Sequence, residues 1–500
     1  MDLRRSSGRR RLGGTDVPRS SALRKLAPPG GRDAALLLIA RVLMSAQRAL
    51  IGVILPIYLA RRGFSAPELG ALFSVVALAS AALSALVGIG ADRVGRRVFV
   101  ICMPLLSAAA AFAYAFAAAP AALFSAAALG SFGRGGGAGG GQIGPYQPAE
   151  QALLTGMVQG ERMRNRLFGL IASASAAGGL LGSVLAVTPL TKASGRTVDP
   201  ATYRPVFLAA ALLAVLAGAC ALKVGERSPG WSGRLKSAAG AEGTGGERRA
   251  CRGPGPRRAA AAPPRRLSAS SRRLVRRLWV TNAVNGAAVG LFGPFITYWL
   301  YRRYGAGPAE IGALYTVANL ITIATNLLAA PLARVNGTVP TVVAIRASQA
   351  LLLPVLALMP TLAAAGAVYT FRLVIQRIGV ALRQSFVMGA APAAERARVA
   401  AFSQLPAQGV SALSPTLSGY LFAQASLAAP FALAGALQLL NAILFYAFFG
   451  GVGPGGPSKP ADQAGAGDHE GTAVGRSERL GATAGDAEHG ASGFRTPSRG

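Results

Sequence analysis

Apolar residues fill long blocks of this chain instead of repeating along one face of each helix. Residues 36–60, 69–90, 311–332 and 431–449 are examples. Each block approaches or exceeds the roughly 18–20 residues that cross a bilayer as a helix. Backbone N–H and C=O groups in lipid must bond within their own segment, so these blocks are predicted to be helices. The pattern therefore indicates an all-α, polytopic membrane protein.

About twelve such segments are predicted, six on each side of a polar linker. They lie near residues 35–60, 67–90, 97–118, 124–156, 166–188 and 203–223, and then near 278–301, 308–331, 339–359, 362–388, 400–425 and 428–450. The fourth segment is interrupted by glycines at 135–141. We therefore expect an N-terminal six-helix bundle at 34–224 and a C-terminal six-helix bundle at 274–450.

Three stretches carry no core-forming pattern and are rich in small and polar residues. They are residues 1–33, 225–273 and 451–500. Such composition does not bury enough apolar surface to offset the entropy of ordering the chain. We expect a disordered N-terminal tail, a disordered basic linker and a disordered C-terminal tail.

The two halves repeat each other in sequence. Residues 63–73 match residues 305–315, and residues 161–168 match residues 395–402. Two units of six spans in the same order have the same orientation, because six is even. This arrangement predicts a pseudo-twofold axis along the membrane normal, with a path for a small-molecule substrate between the halves.

Charged residues are scarce in this chain, and most of them are basic. The chain has 14% charged residues and a formal net charge of +33, whereas a soluble domain carries about 25% charged residues. A soluble protein this basic would suggest nucleic acid. Here the excess lies mainly in the N-terminal tail and the linker, and basic flanks stay in the cytoplasm. We expect both termini on the cytoplasmic side of the plasma membrane, with no nucleic-acid partner.

The sequence contains few candidate residues for catalysis or metal binding. The three cysteines are scattered, and both histidines, His469 and His489, lie in the C-terminal tail. No metal-ligand spacing and no Ser-His-Asp set falls within the predicted spans. The glycines at 135–141 lack the Gly-Lys-Ser/Thr ending of a phosphate-binding loop. We predict no metal, no cofactor, no enzymatic activity and no direct use of ATP.

A charged motif joins the second and third spans. Residues 88–97 read Gly-Ile-Gly-Ala-Asp-Arg-Val-Gly-Arg-Arg, which resembles the loop signature of the major facilitator superfamily, Gly-x-x-x-Asp-Arg-x-Gly-Arg-Arg. The resemblance implies that this motif latches the two halves on the cytoplasmic side in the outward-facing state. Its residues here are Gly88, Asp92, Arg93, Gly95, Arg96 and Arg97. The equivalent stretch of the second half, 330–337, lacks the acid and the Arg pair.

The fourth span is similar to that of many exporters in this superfamily. Arg134, Gly140 and the pair Glu161-Arg162 fit their pattern, while Ala138 and Gln142 replace family glycines. The Gly-Pro motif that antiporters carry in the fifth span is absent at 178–182. By the resemblance, spans one, four, seven and ten line the substrate cavity.

Ionisable residues inside spans are costly, so each is a candidate working residue. Glu150 is the carboxylate placed well inside a span, where it would either carry a proton or pair with an arginine as structure. Its counterpart in the repeat is Gln384, beside Arg383. If spans four and ten face each other, Glu150 and Arg383 would pair in one state and part in another. We assign these two residues to proton coupling.

The remaining candidates are predicted to line the cavity: Arg48, Arg134, Gln142, Asn282, Asn285 and Gln384. Asn282 and Asn285 share one helix face, where they would bind substrate or bridge helices. Arg41 and Arg372 are expected to extend to a membrane interface instead. The excess of arginines over Glu150 favours an anionic or polar substrate.

These observations predict a secondary transporter that alternates access by rocking its two halves. Proton-coupled efflux of a small organic solute is the interpretation we favour, with proton-coupled uptake of an organic anion as the alternative. A different class of function is a membrane receptor or scaffold on the same fold. A monomer in the bilayer suffices, because each chain contains both halves of the pathway.

Overall fold

A computed structural model describes residues 31–117, 119–133, 144–157, 161–187, 200–225, 267–326, 338–392 and 395–450, and these ranges contain helices and no strand. The predicted disordered segments fall almost wholly outside them. Their inner boundaries are wrong at two places, because the first helix already begins at Gly31 and the first helix of the C-terminal half begins at Ala269.

The N-terminal half forms the predicted spans, with one of them in two pieces. Its helices are α1 (Gly31–Arg61), α2 (Ala66–Val94), α3 (Arg96–Phe116), α4 (Pro120–Gly130), α5 (Tyr146–Gly156), α6 (Glu161–Val187) and α7 (Arg204–Leu222). A short 3-10 turn, Pro200–Tyr203, precedes α7. The fourth span is the one in two pieces, α4 and α5, on either side of the glycine-rich stretch.

The C-terminal half has the same plan. Its helices are α8 (Ala269–Phe292), α9 (Ile296–Tyr304), α10 (Pro308–Asn326), α11 (Thr338–Leu358), α12 (Leu362–Ala390), α13 (Arg396–Gln424) and α14 (Ala429–Phe449). The seventh span was predicted as one helix, whereas the structure interrupts it at Gly293–Phe295, between α8 and α9. Pro294 follows Gly293 there, and proline removes a backbone donor.

The sequence repeat is also a repeat of local structure. Glu68 caps the start of α2, where its Oε2 accepts a hydrogen bond of 2.7 Å from the backbone N–H of Ser65. Glu310 does the same at the start of α10, with a bond of 2.9 Å from the N–H of Gly307. Each turn before these caps places a glycine in the left-handed region, Gly63 at φ 89° and Gly305 at φ 69°. A side chain at either position would be strained.

Eight described helical stretches are long and apolar enough to cross a membrane. They lie at Gly31–Arg61, Ala66–Val87, Arg96–Phe116, Arg166–Val187, Ala201–Leu222, Ala269–Tyr304, Val339–Leu358 and Ala429–Phe449. The other helices are short or more polar. Helix α12 carries several arginines, and α13 contains two prolines. Polar spans face the interior of a bundle or a water-filled path.

The halves pack together at one end of the molecule, which we call the Gly63 end after the turn between α1 and α2. Here α2 contacts α13, α6 contacts α10, and α9 contacts α1. Glycines permit close approach: a Cβ on Gly70 would lie 2.5 Å from the carbonyl oxygen of Pro415, and one on Gly419 would collide with the carbonyl of Ala66. Ser74 and Thr416 join hydroxyls across the same contact, 2.7 Å apart.

The packing of buried apolar residues differs between the two ends of the molecule. One large cluster of buried residues includes members of both halves, among them Phe73, Phe207, Trp299 and Phe431, and it fills the Gly63 end. At the opposite end, which we call the Gly95 end, the described residues form one cluster inside each half. The described core is therefore continuous between halves at the Gly63 end and divided at the Gly95 end.

Candidate functional site

A buried ion pair links the first span to the fourth. The Nε atom of Arg41 in α1 lies 2.9 Å from the Oε2 atom of Glu150 in α5, and the two side chains are 1% and 0% exposed. The N–H direction makes this contact an ion pair without a well-aligned hydrogen bond. Glu150 Oε1 and the hydroxyl of Tyr146, one turn earlier, have no hydrogen-bond partner among the described residues.

The position of Arg41 overturns the expectation that its side chain extends to a membrane interface. The apolar cluster of the N-terminal half surrounds this part of α1, with Leu37, Ala40 and Met44 all buried. An arginine there is tolerated because a carboxylate neutralises it. Glu150 is the one buried carboxylate among residues whose side chains are described.

Arg48 bridges the break in the fourth span. Its Nη1 donates to the carbonyl of Ser131 at 2.8 Å, and its Nη2 donates to the carbonyl of Gly130 at 3.4 Å. These carbonyls end α4, where helix carbonyls lack partners and carry partial negative charge. Across the break, a Cβ on Gly144 would lie 3.2 Å from Arg48 Nη2. Arg48, which was predicted to line the cavity, thus has a clear structural role.

Both asparagines of α8 bridge helices. Asn282 accepts a short hydrogen bond from Arg383 of α12 and donates to the carbonyl of Ser403 in α13 at 2.6 Å. Asn285 accepts from Arg346 of α11 at 3.2 Å and from Gln438 of α14 at 3.3 Å. The two residues share one face of α8, as their spacing predicts.

A small cavity opens beside Asn285, between α8, α11 and α12, with a volume of about 60 Å³. Its polar lining consists of Asn285, Arg346, Gln349, Gln376 and Arg383. Its apolar wall includes Val342, Ile345 and Val380. All these residues belong to the C-terminal half, and we call this space the C-half cavity.

Arg372 lies in the first half of α12, before the cavity residues Gln376 and Arg383, and is almost fully buried, at 1% exposure. Its guanidinium carbon lies 4.1 Å from the centroid of the Phe292 ring, at the end of α8. A weak bond of 3.5 Å connects its Nη1 to Gln376, while its Nε and Nη2 have no partner among the described residues. The prediction that Arg372 extends to a membrane interface was wrong, because the ring of Phe292 accommodates the cation inside the bundle.

The proposed pairing of Glu150 with Arg383 is not formed in this conformation. Glu150 lies against Arg41, and Arg383 donates to Asn282. Gln384, the repeat counterpart of Glu150, has a helical backbone whose side chain is not described. Arg134 and Gln142 lie outside the described residues altogether.

The charged motif forms the junction of α2 and α3. For Gly88, Asp92 and Arg93 the structure describes the helical backbone of α2. Gly95 separates the two helices with φ 107° and ψ 138°, followed by Arg96 and Arg97 in the first turn of α3. Arg97 Nη2 donates to the carbonyl of Leu222 at the end of α7, 2.8 Å away. This contact lies within the N-terminal half, and the latch between halves stays a prediction.

Sequence reasoning missed Arg346 and Gln438 as members of the polar network. Arg346 lies inside an otherwise apolar predicted span. An ionisable residue in such a span is a candidate working residue, and Arg48 was selected for this reason. Arg346 was passed over because the resemblance assigns the cavity to spans one, four, seven and ten, and Arg346 is in the ninth. Among the described residues, no group of three His, Cys, Asp or Glu is placed to hold a metal.

Comparisons with known proteins agree with this architecture. The family profile described as Major Facilitator Superfamily matches residues 37–279. No curated protein sequence matches the chain. Several solved structures share the fold at low identity. The D-xylose-proton symporter is 14% identical, with a TM-score of 0.60 over 83% of this chain and 97% of that chain.

Two further structures show the same likeness. A peptide transporter, POT, is 16% identical, with a TM-score of 0.62 over 83% of this chain and 93% of that one. A human organic anion transporter is 15% identical, with a TM-score of 0.54 over 84% of this chain and 100% of that one. These similarities extend over both helical bundles and establish the fold.

Proposed function

We propose that this chain, whose residues 37–279 match the Major Facilitator Superfamily profile, is a transporter of that family that exports a small organic solute in exchange for protons. The buried pair of Arg41 and Glu150 is the observation that carries this proposal. A carboxylate inside a membrane protein can take up and release a proton, and an ion pair ties its charge to the position of a neighbouring helix.

The pair supports coupling because protonation changes the attraction between two helices. Ionised Glu150 neutralises Arg41, whereas a protonated Glu150 would leave Arg41 as an uncompensated buried cation. Such a cation costs several kcal/mol unless water or another anion reaches it. Proton uptake at Glu150 would therefore favour a conformation in which Arg41 is hydrated or newly paired.

Alternating access is the motion that we assign to the two halves. The halves meet at the Gly63 end through glycine contacts, the Ser74–Thr416 hydroxyl pair and a shared apolar cluster, and rocking of the halves would separate these contacts. With both termini in the cytoplasm of the cell, as we propose, the Gly63 end faces outward. This conformation would then be open to the cytoplasm, with Asp92 and the arginines of its motif at the open end.

Uptake of an organic anion together with protons is the second candidate. Arg346 and Arg383 line the C-half cavity, and no described carboxylate forms an ion pair with either. A symporter of D-xylose and protons and a human organic anion transporter both share this fold. Cavity charge favours an anionic solute, and the direction of proton movement distinguishes the candidates.

Purified protein in liposomes with an internal pH-sensitive dye tests the proposal. In exchange, each solute gradient drives protons in the opposite direction; in symport, protons follow the solute. Solute-dependent proton movement should vanish in Glu150→Gln. Glu310→Gln is the matched control, because this exposed capping residue can still accept a hydrogen bond through its amide oxygen. Proton movement that persists in Glu150→Gln would refute the role of Glu150, and no solute movement at all would favour a receptor or scaffold.

A further inference from the structure

We propose that the C-half cavity is a binding site for a small monovalent anion, the size of a halide or a carboxylate group. The site is separate from the Arg41–Glu150 pair and does not depend on the direction of transport. It is formed by Arg346 and Gln349 of α11, Gln376 and Arg383 of α12, and Asn285 of α8.

Charge balance is the first argument. Arg346 is 6% exposed and shares the cavity with Arg383, so two guanidinium groups face one space. Arg346 donates a hydrogen bond to Asn285, and Arg383 donates one to Asn282. Both acceptors are neutral and do not compensate the charge. Unlike Arg41, which pairs with Glu150, neither arginine forms an ion pair with a described carboxylate. Two like charges in a low-dielectric interior repel, and an anion between them would turn repulsion into attraction.

Hydrogen-bond geometry is the second argument. Arg346 uses Nη1 to reach Asn285, and Arg383 uses Nη1 to reach Asn282. A guanidinium group has five N–H donors, so both residues retain donors for a ligand. The described bonds of Asn285 both end on Oδ1, which leaves its NH₂ group as a further donor at the cavity wall. Converging donors with positive charge match an anion and repel a cation.

The size of the C-half cavity and the residues of its wall determine the class of ligand that it can bind. The cavity volume of about 60 Å³ exceeds the roughly 10–15 Å³ that one bound water requires on the same measure. A halide, nitrate or carboxylate group therefore fits. Val342, Ile345 and Val380 form the apolar wall, and this wall disfavours a strongly hydrated divalent anion.

Thermal unfolding of the purified full-length protein tests the site without any transport assay. Chloride is titrated against a bulky organic sulfonate, which has no carboxylate group, at constant ionic strength. A ligand that binds the folded state raises Tm with the logarithm of its concentration above Kd. The wild type should show this rise, and Arg383→Gln should weaken apparent chloride affinity at least tenfold. The matched control is Arg276→Gln, which removes the same charge from an exposed position of α8 and should respond like the wild type.

Two further arms keep the result decisive if Arg383→Gln does not fold. Bromide and nitrate should, like chloride, stabilise the wild type more than Arg346→Lys, whereas the general stabilisation that sulfate gives folded proteins should be the same in both. In Arg346→Lys, which keeps the charge but loses the planar donors, apparent chloride affinity should fall. A response equal for all anions, or equal in Arg346→Lys and Arg276→Gln, is a general salt effect and would overturn the proposal.

The source of the anion is decided in the same experiment. Stabilisation by chloride and nitrate identifies a free inorganic ion as the ligand. Stabilisation by acetate and lactate but not by inorganic anions identifies the carboxylate group of a transported solute. If none of these anions changes Tm, the site does not exist, whatever the outcome of the proton-movement assay.

Discussion

Arg41 and Glu150 lie 2.9 Å apart, Nε to Oε2, where neither side chain reaches solvent. One residue belongs to α1 and the other to α5, which follows the break in the fourth span. The pair therefore fastens the second piece of a broken span to an unbroken neighbour. A charge change at Glu150 acts directly on that attachment.

Neutralising one member of the pair should destabilise the protein more than neutralising both. Glu150→Leu or Arg41→Met leaves the other member of the pair as an uncompensated buried group, and breaking a buried pair costs about 3–5 kcal/mol. The double variant Arg41→Met with Glu150→Leu removes both charges at similar volume and should recover most of that loss. Thermal unfolding of all four proteins measures the coupling. Additive losses in the double variant would show that the two side chains do not interact.

Cross-linking Ser74 to Thr416 should stop transport by holding the Gly63 end closed. Their hydroxyl oxygens lie 2.7 Å apart across the two halves, and cysteines in such close contact can form a disulfide. Ser74→Cys and Thr416→Cys are combined after Cys102, Cys220 and Cys251 are changed to serine. Oxidation should abolish solute flux, and a reductant should restore it.

Each single cysteine variant is the control for that experiment and should stay active under oxidant. Undiminished flux with a complete disulfide would contradict the assignment of the Gly63 end as one of the two gates.

Arg372→Met should raise the stability of the protein. The cation–π contact with Phe292 is worth about 1–2 kcal/mol, whereas burying an ion costs several kcal/mol. Two of the three guanidinium nitrogens of Arg372 have no partner among the described residues. Methionine fills similar volume without the charge, so we expect a higher Tm. A lower Tm than wild type would show that an anion or water satisfies Arg372. Phe292→Leu is the companion variant and should lower Tm.

Exchanging the charges of Glu150 and Arg383 tests whether they meet in another conformation. Each single neutralisation should impair transport, and Glu150→Arg with Arg383→Glu should restore it if the two pair during the cycle. The matched swap is Arg41→Glu with Glu150→Arg, which should recover stability because that pair is formed here. Recovery of stability by the second swap, with no recovery of transport by the first, would exclude a pairing of Glu150 with Arg383.

Apolar block length was enough to predict the fold. The all-helical membrane fold is confirmed, because lipid leaves helix as the only local solution for such blocks. The twelve predicted spans in two repeated bundles are consistent with the described helices, of which eight stretches are long and apolar enough to cross a membrane. The repeat extends to equivalent caps in the structure, since Glu68 and Glu310 accept hydrogen bonds from the N–H of Ser65 and Gly307. The break at Gly293–Phe295 was missed, because three residues hardly alter the mean hydropathy of a span.

The sequence did not reveal which polar side chains of different helices pair with each other. Arg41 is near the N-terminal end of its span, where snorkelling is the usual solution for arginine. Its partner Glu150 lies in a different span, and helix rotation decides whether the two face each other. The same holds for Arg346 and Asn285, which come together through the packing of α11 on α8. Pairing between helices depends on three-dimensional packing that one sequence alone does not specify.

Exchange of labelled solute in proteoliposomes with the Glu150→Gln variant is the most direct test of the central claim, that Glu150 carries the proton of a coupled transporter. With solute on both sides and no pH gradient, exchange needs only alternating access. The account predicts that Glu150→Gln retains this exchange and loses accumulation of solute driven by a pH gradient, whereas Glu310→Gln retains both. Gradient-driven accumulation at the wild-type rate in Glu150→Gln would contradict the account.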